Sequence, residues 1–221
     1  MTVDTIIYEK NGSLTSIALM NKGDLLEVDI FDGSKAAEGN VYLGKITHKI
    51  DIANGRVGYM IDINDGRDAF LNADEIGLKD AEYTNGQSII VQVSQEQRAE
   101  KGAKVMRGLQ FVGTYLVYCP YRMNVEASAR IAQPERLREL RHLVIENTVG
   151  QEGWIIRTAA ADAEPDEITD EMVELRKMYD AVRAKARIEA APCLLYAKAN
   201  PLFEYMAANS MTLDKIIVNT R

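Results

Sequence analysis

The chain has 221 residues, of which 47% are hydrophobic and 27% charged, a composition that excludes collagen-like, low-complexity and wholly disordered proteins. The formal net charge of −7 excludes a generally basic nucleic-acid-binding coat but leaves room for a local basic patch. Two cysteines and two histidines, all far apart in sequence, match no zinc-finger spacing or disulfide framework, so we expect a cytoplasmic protein. No leader sequence and no apolar run of about 18 residues occurs, so neither a targeting segment nor a membrane span is predicted.

The first half of the chain has the pattern of short strands. Within residues 1–35, three β-rich segments are separated by Asn-Gly and Lys-Gly-Asp, which tolerate positive φ and predict an antiparallel meander. Residues 36–118 continue with β-branched runs between glycine-containing turns, a pattern that predicts a small barrel. The runs are VYLGKITHKI, GRVGYMIDI and SIIVQVS, and FLNADEI is predicted as a short strand that leads into a turn.

From residue 119 the pattern is mixed. Residues 133–148 carry apolar side chains at helical spacing after Pro134, and residues 166–190 predict a long amphipathic helix with acidic first turns. Its predicted apolar stripe is Met172, Leu175, Met178, Tyr179 and Val182. Strands are predicted in GWIIRTAA, CLLYA and DKIIVN, and a helix in PLFEYMAANS. These patterns together indicate an α+β protein with a β-barrel section.

Five segments in order resemble the ribonuclease E/G family. They are GNVYLGKITHKI (39–50), YMIDINDGRDAFLNADEI (59–76), GQSIIVQVSQEQRAEKGAKV (86–105), VGTYLVYCP (112–120) and GWIIRTAA (153–160). The resemblance implies an S1-like OB-fold β-barrel inserted into an RNase H-like/5′-sensor α+β subdomain. The implied parts are RNase H-like strands at 1–35, the RNA-binding barrel at 36–118, a 5′-sensor-like region at 119–200 and a return to the RNase H-like sheet at 201–221.

The resemblance also implies what this chain binds. In the family a metal-dependent catalytic subdomain and a zinc-linking cysteine motif come next, so magnesium and zinc would be held beyond residue 221 and this stretch is expected to bind no cofactor and cut no RNA. The expected partner is single-stranded RNA, with no membrane and no DNA. The oligomeric state stays open, because family enzymes pair their subunits through regions that lie beyond this stretch.

The barrel contains the first candidate site. OB-type barrels bind single strands by stacking bases on exposed aromatic rings beside basic side chains. Phe70 is the candidate ring, and where the resemblance expects a second aromatic residue this sequence has Met60. Strand alternation sends the adjacent Tyr59 to the opposite face, so Tyr59 does not replace it. The resemblance assigns an RNA contact to Lys101, which precedes Gly102 in a predicted tight turn. Further cationic candidates are Arg98, Lys104 and Lys45.

These barrel residues also have ordinary structural interpretations. Phe70 taken alone fits a barrel-core residue, and the lysines fit a solvated hairpin tip and an exposed strand position. Phosphate contacts by such cations would position a strand without reading its sequence.

The second candidate site is Arg157-Thr158, which the resemblance implies holds a 5′-terminal monophosphate. A guanidinium can donate two hydrogen bonds to the oxygens of one phosphate, and a hydroxyl can donate a third. Ser128 matches the family's sensor loop, and Arg136 is expected to help close the pocket.

Two features of the sequence count against this phosphate site. Glu126 and Ala129 depart from the family's loop pattern, and a carboxylate there would repel phosphate. Arg157 has an alternative partner in a nearby acid such as Asp162 or Glu164.

Three functional hypotheses stay open. The first is the RNA-recognising part of a ribonuclease E/G-type endoribonuclease of RNA processing or decay. The second is a non-catalytic scaffold or protein-interaction module derived from that family. The third, an enzyme with an unrelated active site, has least support, because there is no nucleophile elbow and no glycine-rich phosphate loop before a helix.

Overall fold

The computed structural model describes residues 2–33, 35–52, 54, 56–73, 82–98, 100–198, 201–209 and 212–220. The chain forms two compact units. One combines Met1–Ala37 with Lys198–Arg221, and the other is Glu38–Ala197.

The first unit is a four-stranded sheet in the order β14-β1-β2-β3. Strands β1, β2 and β3 form the predicted antiparallel meander, and β14 pairs in parallel with β1. The first turn contains Gly12 at φ +60° and the second contains Lys22 at +50° and Gly23 at +93°, as the turn sequences predicted. The elements are β1 (Thr5–Asn11), β2 (Leu14–Asn21), β3 (Asp24–Asp32), α3 (Pro201–Ala208) and β14 (Lys215–Thr220).

A closed five-stranded barrel lies in the second unit. Its strands follow the order β4-β5-β6-β8-β7, and β7 pairs back with β4 to close the barrel. The strands are β4 (Val41–Ile52), β5 (Arg56–Asp62), β6 (Ala69–Asn72), β7 (Ser88–Gln95) and β8 (Lys104–Met106). Closure leaves buried β-branched and aromatic side chains inside, including Tyr59, Ile61, Leu71, Val91 and Val105. The α+β fold with an OB-like barrel is therefore confirmed.

A second sheet in this unit has the order β11-β12-β10-β9 and packs with two helices around Trp154 and Phe111. Helix α1 begins with a proline at its first turn, and α2 begins with a capping box between Glu164 and Glu167. The elements are β9 (Phe111–Val112), β10 (Leu116–Cys119), β11 (Val125–Ala127), α1 (Pro134–Glu146), β12 (Gly153–Ile156), a 3₁₀ turn (Thr158–Asp162), α2 (Pro165–Ile188) and β13 (Cys193–Tyr196). Strand β13 pairs with β4 of the barrel.

Two predictions about elements need correction. The strand predicted through residue 160 ends at Ile156, because the chain turns into the 3₁₀ segment at Thr158. Met178, assigned to the buried stripe of α2, is 37% exposed, whereas Met172, Leu175 and Val182 are buried. Residues 74–76 of the predicted strand and turn lie outside the described residues. The four-part division of the chain stays a prediction. No helix in the described ranges combines the length and apolarity that crossing a membrane requires.

Candidate nucleic-acid interface

A row of four side chains crosses the outer surface of the barrel. Met60 on β5 pairs with His48 on β4 and with Phe70 on β6, and Phe70 pairs with Lys104 on β8. Directly opposite residues on one face of a sheet have Cβ atoms about 5 Å apart. His48 and Lys104 are exposed, and Met60 and Phe70 are half-buried. We call these four residues the outer-face row.

Phe70 is not a residue of the barrel core. Its neighbours Ala69 and Leu71 are both 0% exposed and face inward, which places the half-buried Phe70 on the outer surface. The ring rests on Gly58, where an added Cβ would lie 2.4 Å from Cε2 of Phe70 and 3.1 Å from Cδ1 of Ile52. Because Gly58 has no side chain, the Phe70 ring packs directly against the strand backbone at this position.

Tyr59 lies inside the barrel, as strand alternation predicted. It is 2% exposed, and its ring meets that of Tyr83 edge-on at 5.2 Å between centroids. Tyr59 is therefore unable to serve as the second stacking residue. On the outer surface Met60 offers a thioether, which packs against a base without a π-face.

The predicted cationic cluster lies at a hairpin beside β6. Arg98 and Lys101 face each other across its turn and exchange backbone hydrogen bonds of 3.1 and 2.9 Å. Both side chains are exposed, as is Lys104 in the outer-face row. Within the described ranges none of the three forms an ion pair. Cations with no internal counter-charge are suited to contact phosphate.

Gly102 is required for a different reason from the predicted tight turn. It is not one of the positive-φ glycines of the described residues. Instead, an added Cβ would lie 2.1 Å from the carbonyl oxygen of Asp68. The N–H of Phe70 donates to the carbonyl of Ala103 at 2.8 Å, so this close approach joins the hairpin to β6. Lys101 is thereby held near the strand that carries Phe70.

Lys45 lies on β4, opposite Asp62 on β5 and Ser88 on β7. The side chain is exposed. Because Asp62 is two residues after Met60 on the same strand, Lys45 belongs to the same outer surface as the outer-face row.

Sequence reasoning missed His48 and the hydrogen bonds that hold it. The pairing of β4 with β5 shifts register between Ile46 and His48, so Thr47 is an extra residue in the strand. The Thr47 hydroxyl lies 2.6 Å from Oδ2 of Asp68, 3.1 Å from the carbonyl oxygen of Met60 and 3.1 Å from Nδ1 of His48. Nothing in the local sequence pattern of β4 indicates this bulge. Regular alternation of side chains along the strand therefore does not predict that His48 lies opposite Met60.

The structure brings two of the four predicted phosphate-binding side chains, Ser128 and Thr158, into contact. Oγ of Ser128 and Oγ1 of Thr158 lie 3.0 Å apart, although 30 residues separate them in sequence. The cause is the parallel pairing of β11 with β12, which the N–H of Ser128 extends by donating to the carbonyl of Ile156 at 2.8 Å. Arg157 precedes Thr158, and both side chains are exposed.

Arg157 forms no ion pair with Asp162 or Glu164, so the predicted acidic partner is not used within the described residues. Its Nη1 donates to the carbonyl of Gly113, and its backbone N–H donates to the carbonyl of Tyr115 at 2.8 Å. The guanidinium is thus fixed to the turn between β9 and β10.

That turn encloses the carboxylate of Glu171 from α2. Oε1 of Glu171 accepts the N–H of Thr114, and Oε2 accepts those of Tyr115 at 2.8 Å and Leu116 at 2.7 Å. A Cβ at Gly113 would lie 2.4–2.7 Å from the carboxyl group. Successive backbone N–H groups of this kind form an anion-binding nest, which an internal carboxylate fills here. Sequence reasoning missed this contact because it joins residues more than 50 positions apart.

The guanidinium of Arg136 forms hydrogen bonds within the fold and is therefore not free to face the predicted pocket. Its Nε donates to the carbonyl of Ala161 at 3.0 Å, its Nη2 donates to that of Ala163, and its Nη1 lies 3.4 Å from Glu139. These contacts cover the end of the 3₁₀ turn. The predicted phosphate contact would require breaking them, so Arg136 is left out of the candidate site.

Glu126, expected to repel a phosphate, has its own partners. Its carboxylate lies 3.6 Å from Nη1 of Arg122 and accepts a hydrogen bond of 2.8 Å from Asn124. The ion pair reduces the repulsion that the sequence predicted.

The described residues give little support to an unrelated active site. Burial raises the pKa of the Cys119 thiol, which reduces its thiolate fraction and its nucleophilicity. In the described ranges, no three His, Cys, Asp or Glu side chains lie close enough together to hold a metal ion. The prediction that this chain binds no cofactor stays a prediction.

The closed OB-like barrel and the neighbouring sheet with its two helices define the class of this protein as α+β with an OB-like barrel, and comparison with known proteins adds the family. The pattern of the ribonuclease E/G family matches residues 110–221. Ribonuclease E of Synechocystis sp. is 32% identical over 109 residues, which is 49% of this chain and 16% of that protein. Ribonuclease G of Escherichia coli strain K12 is 29% identical over 139 residues, 62% of this chain and 28% of that protein.

The chain belongs to the ribonuclease E/G family. Its aligned part covers less than a third of the length of either of these two relatives.

Proposed function

We propose that this chain binds single-stranded RNA on the outer surface of its barrel, as the RNA-recognising part of a cytoplasmic ribonuclease E/G-type endoribonuclease of RNA processing or decay. The observation that carries this proposal is the Phe70 ring, half-exposed on Gly58, with the exposed cations Lys101 and Lys104 on the neighbouring hairpin and strand, neither of which forms an ion pair with the described residues. A base stacks on such a ring while the cations contact the phosphates on either side.

A 5′-terminal monophosphate is the proposed ligand of the second site. The hydroxyls of Ser128 and Thr158 lie 3.0 Å apart beside Arg157, whose guanidinium is oriented by the Gly113 carbonyl. That contact uses one nitrogen, and the other guanidinium nitrogens have no hydrogen-bond partner among the described residues, so they could donate to a phosphate oxygen. Hydroxyls and a guanidinium together supply the donors that a phosphate dianion needs.

The test is fluorescence anisotropy with a short A/U-rich RNA oligomer. Phe70→Ala should weaken binding by about 5- to 150-fold, since loss of one stacked base costs roughly 1–3 kcal/mol. Phe203→Ala is the matched control, because Phe203 is 62% exposed on α3 of the other unit. Equal affinity of folded wild type and Phe70→Ala would contradict the proposal.

The alternative is a non-catalytic scaffold or protein-interaction module derived from the family. Three observations favour it. Met60 lacks a π-face, the guanidinium of Arg136 is committed to the fold, and Glu171 fills the backbone nest beside Arg157. Absence of measurable RNA binding by the folded chain at low salt would select this alternative.

A further inference from the structure

We propose that His48 is the second stacking residue of the RNA-binding surface, with its imidazole against a base that neighbours the base on Phe70. This inference rests on the proposed function of the barrel. It assigns a ligand contact on β4, one strand away from Met60, where the sequence had suggested a weakened platform.

The register of the barrel places His48 in line with Phe70. His48 pairs with Met60, and Met60 pairs with Phe70, so the three side chains lie on three adjacent strands of one surface. Neighbouring strands are about 4.8 Å apart, which puts His48 about 10 Å from Phe70. Sheets that bind single-stranded RNA stack two or three bases on aromatic side chains at such positions, and histidine is one of these.

Met60 fits the gap between the two rings. Its half-buried thioether is unbranched and polarizable, so it contacts the edges of bases held on either side. Along the outer-face row the groups are then the imidazole of His48, the thioether of Met60, the phenyl ring of Phe70 and the ammonium group of Lys104.

Hydrogen bonds fix the imidazole. The Thr47 hydroxyl lies 2.6 Å from Oδ2 of Asp68 and 3.1 Å from the carbonyl oxygen of Met60, and a hydroxyl donates to such oxygens. The Thr47 oxygen also lies within hydrogen-bond distance of Nδ1 of His48, at 3.1 Å. Nε2 of His48 has no hydrogen-bond partner among the described residues, which leaves it for a base edge or a ribose 2′-hydroxyl. The ring is therefore held while one edge and its face stay accessible.

The other histidine of the chain provides a matched control. His142 lies on α1, where Nε2 is 3.1 Å from Oε1 of Glu146, and it is exposed like His48. Because the chain has two histidines, substituting each in turn assigns both sets of imidazole proton signals in an NMR spectrum.

The experiment combines NMR with affinity measurements on the full chain, using the same A/U-rich RNA oligomer. The imidazole protons of His48 should shift on RNA addition through the ring current of the stacked base, while those of His142 stay in place. His48→Ala should weaken binding about 3- to 10-fold, below the effect expected for the larger Phe70 ring. His48→Phe should retain or raise affinity, and His142→Ala should leave it unchanged.

The outcomes separate this inference from the proposed function. Unshifted His48 signals and full affinity in His48→Ala, with weakened binding in Phe70→Ala, would overturn the role of His48 alone. Loss of affinity in both His48→Ala and His48→Phe, with unshifted ring signals, would make His48 a structural residue of the bulge and also overturn it. Unchanged affinity in Phe70→Ala would remove the proposed function and this inference with it.

Discussion

At the scale of single residues, Gly58 decides how the barrel presents an aromatic ring. The position is buried by the ring of Phe70, and a methyl group there would overlap Cε2 at 2.4 Å. The ring is the far end of a side chain and is partly exposed, so we expect an added methyl group to displace the ring more than the barrel backbone.

Gly58→Ala is therefore expected to tilt the Phe70 ring away from the backbone at residue 58 and to weaken RNA binding about 3- to 10-fold. Overpacking should also lower the free energy of unfolding by about 1–3 kcal/mol. Anisotropy and urea denaturation measure the two effects. Gly108→Ala is the control, since Gly108 has no atom within 4 Å of an added Cβ and no left-handed φ. A fully stable Gly58→Ala protein with normal RNA affinity would show that the packing of Phe70 against Gly58 has no role in binding.

We expect any discrimination of the RNA 5′ end to depend on Arg157. The chain is expected to prefer RNA with a 5′ monophosphate over a 5′ hydroxyl by about 3- to 10-fold, because charge-assisted hydrogen bonds are partly offset by the acidic surroundings. Arg157→Lys should lose most of the preference, since an ammonium group makes no bidentate contact. Thr158→Val should lose part of it.

The comparison uses oligomers that differ only at the 5′ end, measured at one salt concentration. Arg141→Lys, an exposed position on α1, serves as the control for changing guanidinium to ammonium. Equal affinity of the wild type for the two oligomers would leave the barrel as the proposed RNA site.

At the scale of elements, α2 fixes the turn between β9 and β10 through Glu171. Three backbone N–H groups donate to this carboxylate, and the same turn supplies the carbonyl of Gly113 that holds Arg157. The position of the Arg157 guanidinium in the proposed phosphate site thus depends on a helix residue that is remote from it in sequence.

Glu171→Gln should lower the free energy of unfolding by about 2 kcal/mol, because an amide oxygen replaces a charged acceptor and an NH₂ group meets backbone donors. It should also reduce the preference for a 5′ monophosphate as the turn loosens. Urea denaturation and the paired-oligomer assay measure these effects. Glu174→Gln, on the same helix and ion-paired with Lys177 at 3.8 Å, is the matched control. If Glu171→Gln lowered the stability but left the preference for a 5′ monophosphate unchanged, the contacts of Glu171 would have no influence on the proposed phosphate site.

A second contact of α2 predicts how stability depends on pH. Burial of Glu152 raises its pKa, but the hydrogen bonds from Arg176 and the Val149 N–H outweigh burial, so the folded pKa lies below the usual value. Nε of Arg176 lies 3.1 and 3.2 Å from the two carboxylate oxygens, and its guanidinium covers Trp154 at 5.1 Å. A lowered folded pKa contributes stability that is present above the unfolded pKa, about 4.3, and is lost as the pH falls through the folded pKa.

Unfolding free energies measured in urea from pH 7 to pH 3 should therefore fall at the acid end in the wild type. Glu152→Gln should be less stable at pH 7 by about 1.5–3 kcal/mol, because an uncharged amide replaces the charged acceptor of the partly exposed Arg176, and its acid decline should be smaller. His142→Gln controls for the exposed ion pair on α1. An acid decline of equal size in Glu152→Gln would assign the pH dependence to other groups.

Elements with a strong local signal could be predicted from the sequence, and contacts between distant segments could not. The meander turns, α1 and α2 follow from positive-φ residues, a proline at the first turn and helical spacing, all of which act within a few residues. Phe70 and the Ser128–Thr158 neighbourhood needed the family resemblance as well. The bulge at Thr47, the close approach of Gly102 to Asp68 and the nest around Glu171 each join segments that no local pattern connects.

At the scale of the whole molecule, the proposed RNA binding would have to occur against the repulsion of a net charge of −7. The candidate cations Lys45, Arg98, Lys101 and Lys104 are all exposed on the barrel, and a local cluster of this kind attracts a phosphate backbone despite an acidic average. Screening by salt weakens both the local attraction and the overall repulsion, but contacts to phosphate also release counterions, and this release dominates the dependence on salt.

If three or four of these cations contact phosphates, a plot of log Kobs against log salt concentration should have a slope of about −2 to −3 for single-stranded RNA. Lys101→Ala should make the slope shallower by about 0.7 and weaken binding to different sequences to a similar extent, because a phosphate contact does not read bases. Phe70→Ala should weaken binding with the slope unchanged, since stacking releases no counterion. Lys177→Ala, on α2, should alter neither quantity. Anisotropy titrations between 50 and 300 mM KCl measure these slopes, and a wild-type slope near zero would mean that the cationic cluster makes no phosphate contact.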